Sequence, residues 1–157
     1  MRRLWPALAA LLLAGCGVQP SGVTDAGDAP TGVAPGVTLY FLDTHDALTP
    51  QLRETDRLGT ISDAMALLLS GVGDSSLHTD IAAVGTTRVP VITTPGVIQL
   101  MTPLTTGDVT PLGIDQIVCT ALGVHVQSGG PRTVKVRVTF TQPTPESARL
   151  RTCPLLS

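Results

Sequence analysis

Aromatic residues are scarce in this chain: its 157 residues include one Trp, one Tyr and two Phe. Trp5 falls in the first apolar run, so only Tyr40, Phe41 and Phe140 are left to a folded domain. The core must therefore be aliphatic, built from Val, Leu and Ile, and a sugar-stacking surface lacks the platforms it needs. A basic excess is also missing: 10 Lys and Arg stand against 12 Asp and Glu, formally −2. That balance argues against a nucleic-acid partner. The apolar run over residues 4–14 covers 11 residues. As a helix it would reach ~16 Å, about half of a ~30 Å hydrocarbon core, so a spanning helix is not expected there. No internal repeat stands out. Ser62, Ser70, Ser75 and Ser76 lack a G-x-S-x-G setting. Gly71 and Gly73 follow a helix rather than precede one, so there is no phosphate loop.

What is present begins at the N-terminus. Met1-Arg2-Arg3, the short apolar run and then Leu13-Ala14-Gly15-Cys16 have the layout of a secretory leader with small residues before a cleavage point. With a cysteine directly after Leu-Ala-Gly, the stretch resembles the lipobox of bacterial lipoproteins. The resemblance implies cleavage before Cys16, diacylglycerol on its sulfur, and palmitate-type acyl chains. Two or more such chains hold a protein at a membrane far longer than one. The expected location is the extracytoplasmic face of the cell membrane. Arg2 and Arg3 would leave with the leader, so eight basic residues would face twelve acidic, formally −4.

Residues 17–36 read GVQPSGVTDAGDAPTGVAPG, with nothing apolar bulkier than valine. Such a segment cannot bury enough surface to offset its ordering entropy, so a linker is expected. It would reach ~25 Å as a coil and roughly 65 Å when stretched. Asp25 and Asp28 are solubilising charges in this reading.

The folded domain is expected over residues 37–141. Residues 37–42 and 47–54 read as a first hairpin, with Pro50 confining the second strand to an edge. Thr60 and Asp63 form a capping-box pair ahead of a helix with Ile61, Ala64, Met65, Leu68 and Leu69 on one face. Ser70, Gly71 and Gly73 stop it. Residues 88–94 and 96–102 read as a second hairpin about Pro95-Gly96, with Pro90 at an edge or strand start. Thr110-Pro111 opens a second helix that runs to about residue 121 or 126, with Gly123 as an early stop. Its expected stripe is Ile114, Ile117, Val118, Ala121 and Leu122. In residues 133–141, Val134, Val136, Val138 and Phe140 alternate with polar side chains, a strand with one packed and one wet face. The tail, residues 142–157, reads as mostly irregular. The order β-β-α-β-β-α-β predicts an α+β two-layer sandwich, with a mixed or antiparallel sheet and two helices.

With Cys16 lipidated, Cys119 and Cys153 remain. In an exported chain an even remainder predicts a disulfide, the alternative being two separately buried thiols. The bond would staple the tail to the second helix and close a loop of about 35 residues, worth roughly 3–4 kcal/mol. His45 lies with Asp43 and Asp46 in a polar turn whose spacing matches no zinc pattern, and His78 falls in a loop. His125 falls on the apolar side of its helix, or ends it. Asp43, Asp46 and Glu54 form no convincing acid pair. Arg132, Lys135 and Arg137 make a possible interaction patch for anionic envelope polymers or an acidic protein, the alternative being an ordinary solvated sheet face.

Several motifs occur in a recognisable order. They are Leu39-Tyr40-Phe41-Leu42-Asp43, Ala64-Met65-Ala66-Leu67-Leu68-Leu69-Ser70-Gly71, Gly96-Val97-Ile98-Gln99-Leu100-Met101, Ile117-Val118-Cys119-Thr120-Ala121-Leu122, and the strand ending at Phe140. Behind a lipobox and a linker, this order resembles the GerMN domain of sporulation, germination and actinobacterial envelope lipoproteins. Gln99 stands where that family carries an acidic residue, and the Cys119 and Cys153 pair is not part of its general pattern. The resemblance implies a non-catalytic protein-interaction module that assists or regulates a cell-envelope complex. It implies no catalytic residue, cofactor, metal or small-molecule ligand. The competing expectation is a ligand-binding or hydrolytic envelope lipoprotein with an unrecognised site, which would need a pocket of ~300 Å³ or more.

Overall fold

In a computed structural model of the chain, residues 35–156 are described. The leader, Cys16 and nearly all of the linker lie outside them. Strand β1 (Gly36–Leu42) pairs antiparallel with β2 (Leu48–Glu54) from Gly36↔Glu54 to Leu42↔Leu48. Asp43 closes the hairpin, its carboxylate accepting from the N–H of His45 at 2.8 Å and of Ala47 at 3.0 Å. Pro50 lies opposite Tyr40, whose amide and carbonyl turn away from β2. The missing N–H of proline therefore costs no ladder bond, as an edge position allows.

Helix α1 (Ile61–Leu69) has the expected capping box: Thr60 Oγ1 accepts from Asp63 N, and the Asp63 carboxylate accepts from Thr60 N at 2.9 Å. Ala64, Met65, Leu68 and Leu69 are its buried residues. Strands β3 (Val91–Thr94) and β4 (Val97–Met101) form the second hairpin, with Gly96 at φ 78° in the turn. Helix α2 (Pro111–Gln127) then crosses over to β5 (Lys135–Thr139), which pairs parallel to β4. A parallel pair needs such a crossover.

The domain is α+β, with two helices and mixed strand pairing, but its strands form two sheets rather than one: β1-β2, and the four-stranded β3-β4-β5-β6. The division follows from how the free edge of β1 is satisfied. Tyr40 N–H donates to Thr120 Oγ1 at 3.0 Å, and Gln116 Nε2 donates to the Tyr40 carbonyl at 3.1 Å. Leu42 exchanges backbone bonds with His78 at 2.9 and 2.8 Å. Side chains of α2 and one loop residue thus take the place of a further strand, and the edge offers no template for pairing.

Of the two expected ends of α2, the later one is realised: the helix runs on to Gln127, and Gly123 does not end it. A Cβ there would come 3.3 Å from Tyr40 Cε2, so the glycine makes room for the Tyr40 ring. Burial also extends beyond the expected stripe to Gln116, Cys119, Thr120 and Val124. Packing against β1, α1 and β5 explains this, since a helix covered on several sides has no wet face to keep polar.

The tail is mostly irregular, with two short elements. A 3-10 helix over Pro145–Ala148 leads into a short strand, β6 (Leu150–Arg151), antiparallel to β5. Cys153, fully buried, is bonded to Cys119 of α2 with S–S 2.05 Å. The disulfide expected from cysteine parity is present, and it fixes the tail against the helix. Leu39, Phe41, Met65, Leu68, Ile98, Leu100, Ile117, Leu122, Val136 and Val138 share one core.

Candidate functional site

Alternation along β4 and β5 divides the four-stranded sheet. Ile98, Leu100, Val136 and Val138 point into the core and are fully buried. Gln99, Met101, Lys135, Arg137 and Thr139 occupy the opposite face. The register places Gln99 opposite Arg137, Ile92 opposite Gln99, and Leu150 opposite Arg137. Gln99 Nε2 donates to Thr139 Oγ1 at 3.2 Å across the strands.

At the β5 side, this face deepens into a groove of about 570 Å³. Gln99, Arg137 and Thr139 meet there with Thr141, Thr144 and Ser147. The 3-10 helix forms its far wall. Ser147 Oγ accepts from the Phe140 N–H at 3.1 Å, which holds that wall to the end of β5. Arg137 is the one ionisable side chain in the lining. Its Nε is buried and has no hydrogen-bond partner among the described residues.

The expected basic patch is only partly assembled. Lys135 and Arg137 share the outer face, two residues apart on one strand. Arg132 precedes the strand and is exposed, and its charge reaches the Tyr40 phenol. Burial raises the Tyr40 pKa, and Arg132 opposes that shift. Arg149 and Arg151, basic residues of the tail outside that patch, are taken up by Glu146, which accepts from Arg149 at 3.1 Å and also pairs with Arg151. Hydrogen bonds from Arg149, then Arg151, hold the Glu146 carboxyl below its ordinary range.

The polar turn residues go elsewhere. His78 Nε2 lies 3.1 Å from Asp46 Oδ1, a surface contact between loops 32 residues apart in the chain. The backbone N–H groups of Ala47 and His45 lower the Asp43 pKa. His125 lies in the last turn of α2, and its ring sits where a Cβ on Gly130 would fall, 2.2 Å from Nε2. Asp115, half-buried on α2, has its pKa raised by desolvation, with Arg151 opposing. No three His, Cys, Asp or Glu side chains converge as a metal set among the described residues.

Lys135 and Arg137 are legible in the sequence, but the groove is not. Its far wall lies in the tail, where Pro143 and Pro145 suggested irregular chain. The only sequence sign of that wall was Thr144-Pro145-Glu146, the composition of a helix start. No family model matches the chain, and neither a curated protein nor a solved structure matches it.

Proposed function

We propose that this chain is an extracytoplasmic lipoprotein, anchored through Cys16, whose domain is a GerMN-like, non-catalytic interaction module. It assists or regulates a cell-envelope complex through contact with another envelope protein. The observation that carries the reading is the sheet face where Ile92, Met101 and Leu150 are 48, 44 and 50% exposed, beside Lys135 and Arg137, which have no ion-pair partner among the described residues. A mixed aliphatic and Arg-bearing face is the composition of a protein contact. The Cys119–Cys153 bond supports the address, because structural disulfides persist in oxidising, exported compartments.

The groove volume of about 570 Å³ favours a second reading, a ligand-binding envelope lipoprotein. Its hydrolytic form has less support: Ser147 is committed to the Phe140 amide, and no histidine or carboxylate lines the groove. Cross-linking on intact cells separates the two. Recovery of a specific envelope protein bound to the chain supports the module. Recovery of small molecules alone, or a turnover activity, overturns it.

A further inference from the structure

Register on the outer sheet face sets one cation among aliphatic neighbours. Across the strands the row runs Ile92, Gln99, Arg137, Leu150, with Met101 and Lys135 two residues along β4 and β5. Strands β3 to β6 carry no Asp or Glu. The ion pairs among the described residues join His78 to Asp46 and Arg149 and Arg151 to Glu146, leaving Arg137 unpaired. Its Nε is closed to solvent and unsatisfied, so an incoming acceptor meets the terminal Nη1 and Nη2 groups, which are not buried and carry no bond among the described residues. A partly desolvated guanidinium without an acceptor is unfavourable, and a carboxylate matches its planar fork with two parallel hydrogen bonds.

Building on the protein-interaction reading above, we propose that this face docks an acidic, extended segment of a partner protein. One Asp or Glu carboxylate sits on Arg137 in the groove, and aliphatic side chains beside it cover Ile92, Met101 and Leu150. Complementarity of both charge and apolar surface selects this occupant. A phosphate-rich wall polymer would match the charge. It would leave three half-exposed aliphatic side chains wet, and it would find only Lys135 and Arg137 on the face. One remaining polar group suits a peptide: Gln99 keeps its amide oxygen for a backbone N–H.

The test is a titration of the purified full chain in detergent micelles with a short peptide of alternating Val and Glu. Labelled-peptide anisotropy reports affinity, and amide NMR shifts report location. Poly(glycerol phosphate) is the comparison probe. The peptide is expected to shift Gln99, Met101 and Arg137. Arg137→Gln should weaken it by roughly 10-fold or more, the scale of a charge-assisted bond. Leu150→Gln, at a half-exposed position and with folding checked by circular dichroism, should weaken it several-fold. The inference is overturned if the peptide does not bind, if neither variant changes its affinity, or if poly(glycerol phosphate) binds more tightly. Cellular cross-linking keeps the two levels distinct. A lipidated chain joined to an envelope protein through another surface overturns this inference and leaves the proposed function standing. A chain without lipid or partner that still binds the peptide through Arg137 supports the inference and removes the proposed function.

Discussion

Replacing Gln116 by leucine should destabilise the domain more than any change at its surface. Gln116 is fully buried. Its oxygen accepts from the Asp80 N–H at 2.9 Å and its nitrogen donates to the Tyr40 carbonyl at 3.1 Å. Leucine has a similar volume, so little cavity is created, but it leaves a donor and an acceptor unsatisfied. Each buried orphan costs about 1–3 kcal/mol, and the added apolar burial offsets part of that. The expected net loss is about 2–3 kcal/mol, a fall in melting temperature of roughly 8–12 °C for a domain of this size. Thr120→Val and Thr120→Ser give the internal control. Valine keeps the shape of threonine and removes the acceptor for the Tyr40 amide. Serine keeps the acceptor and removes one methyl, worth about 0.8 kcal/mol. Urea denaturation followed by circular dichroism should rank valine below serine. If Gln116→Leu is neutral or stabilising, or if serine proves worse than valine, then packing alone holds α2 to β1 and the hydrogen bonds to Tyr40 contribute nothing.

The remaining expectations concern the tail, the acid response and one glycine. Cys119→Ala with Cys153→Ala should cost about 4 kcal/mol by loop-closure entropy for a sequence separation of 34, read by denaturant midpoint; a loss under about 1 kcal/mol would show that the tail docks without its bond. Four carboxyls, Asp43, Asp63, Asp108 and Glu146, have folded pKa values below their ordinary 3.8 or 4.5. Their contribution is complete above those ordinary values and is lost as pH falls through the depressed ones. Asp115, raised by burial, has the opposite sign: its contribution is present below 3.8 and lost as pH rises through its folded value. Thermal melts should therefore drop as pH falls below about 4, and a melting temperature flat or rising toward pH 2 would refute this balance. Gly113→Ala should destabilise although alanine favours helices, because its Cβ would meet Asp80 O at 2.3 Å and Val109 Cγ2 at 2.6 Å; a stabilised variant would contradict that packing.

Much of this fold was legible from local chemistry. Thr60 with Asp63, Thr110 with Pro111, Pro95 with Gly96, and the alternation from Val134 to Phe140 each act within a few residues, where sequence patterns are most informative. The cysteine pair was legible by parity. The two-sheet division was not, because it depends on Thr120 and Gln116 reaching Tyr40 across 80 and 76 residues. A glutamine or threonine in a helix does not announce that it caps a distant strand. Gly123 looked like a helix stop because its neighbour, the Tyr40 ring, is equally remote. The tail looked irregular because its prolines are local signals. Its two short elements come instead from the Cys153 bond and from Leu150 and Arg151, which pair with β5. At the candidate site, Lys135 and Arg137 were visible on the wet phase of a strand. The neutralisation of Arg149 and Arg151 by Glu146, and the groove beside Arg137, required the tail to be folded.

Mass spectrometry of the N-terminal peptide from membrane-purified chain decides whether the module is anchored. The mature chain is expected to begin at Cys16 with diacylglycerol on its sulfur. A chain beginning at Met1, with an unmodified Cys16 thiol, would rule the anchor out.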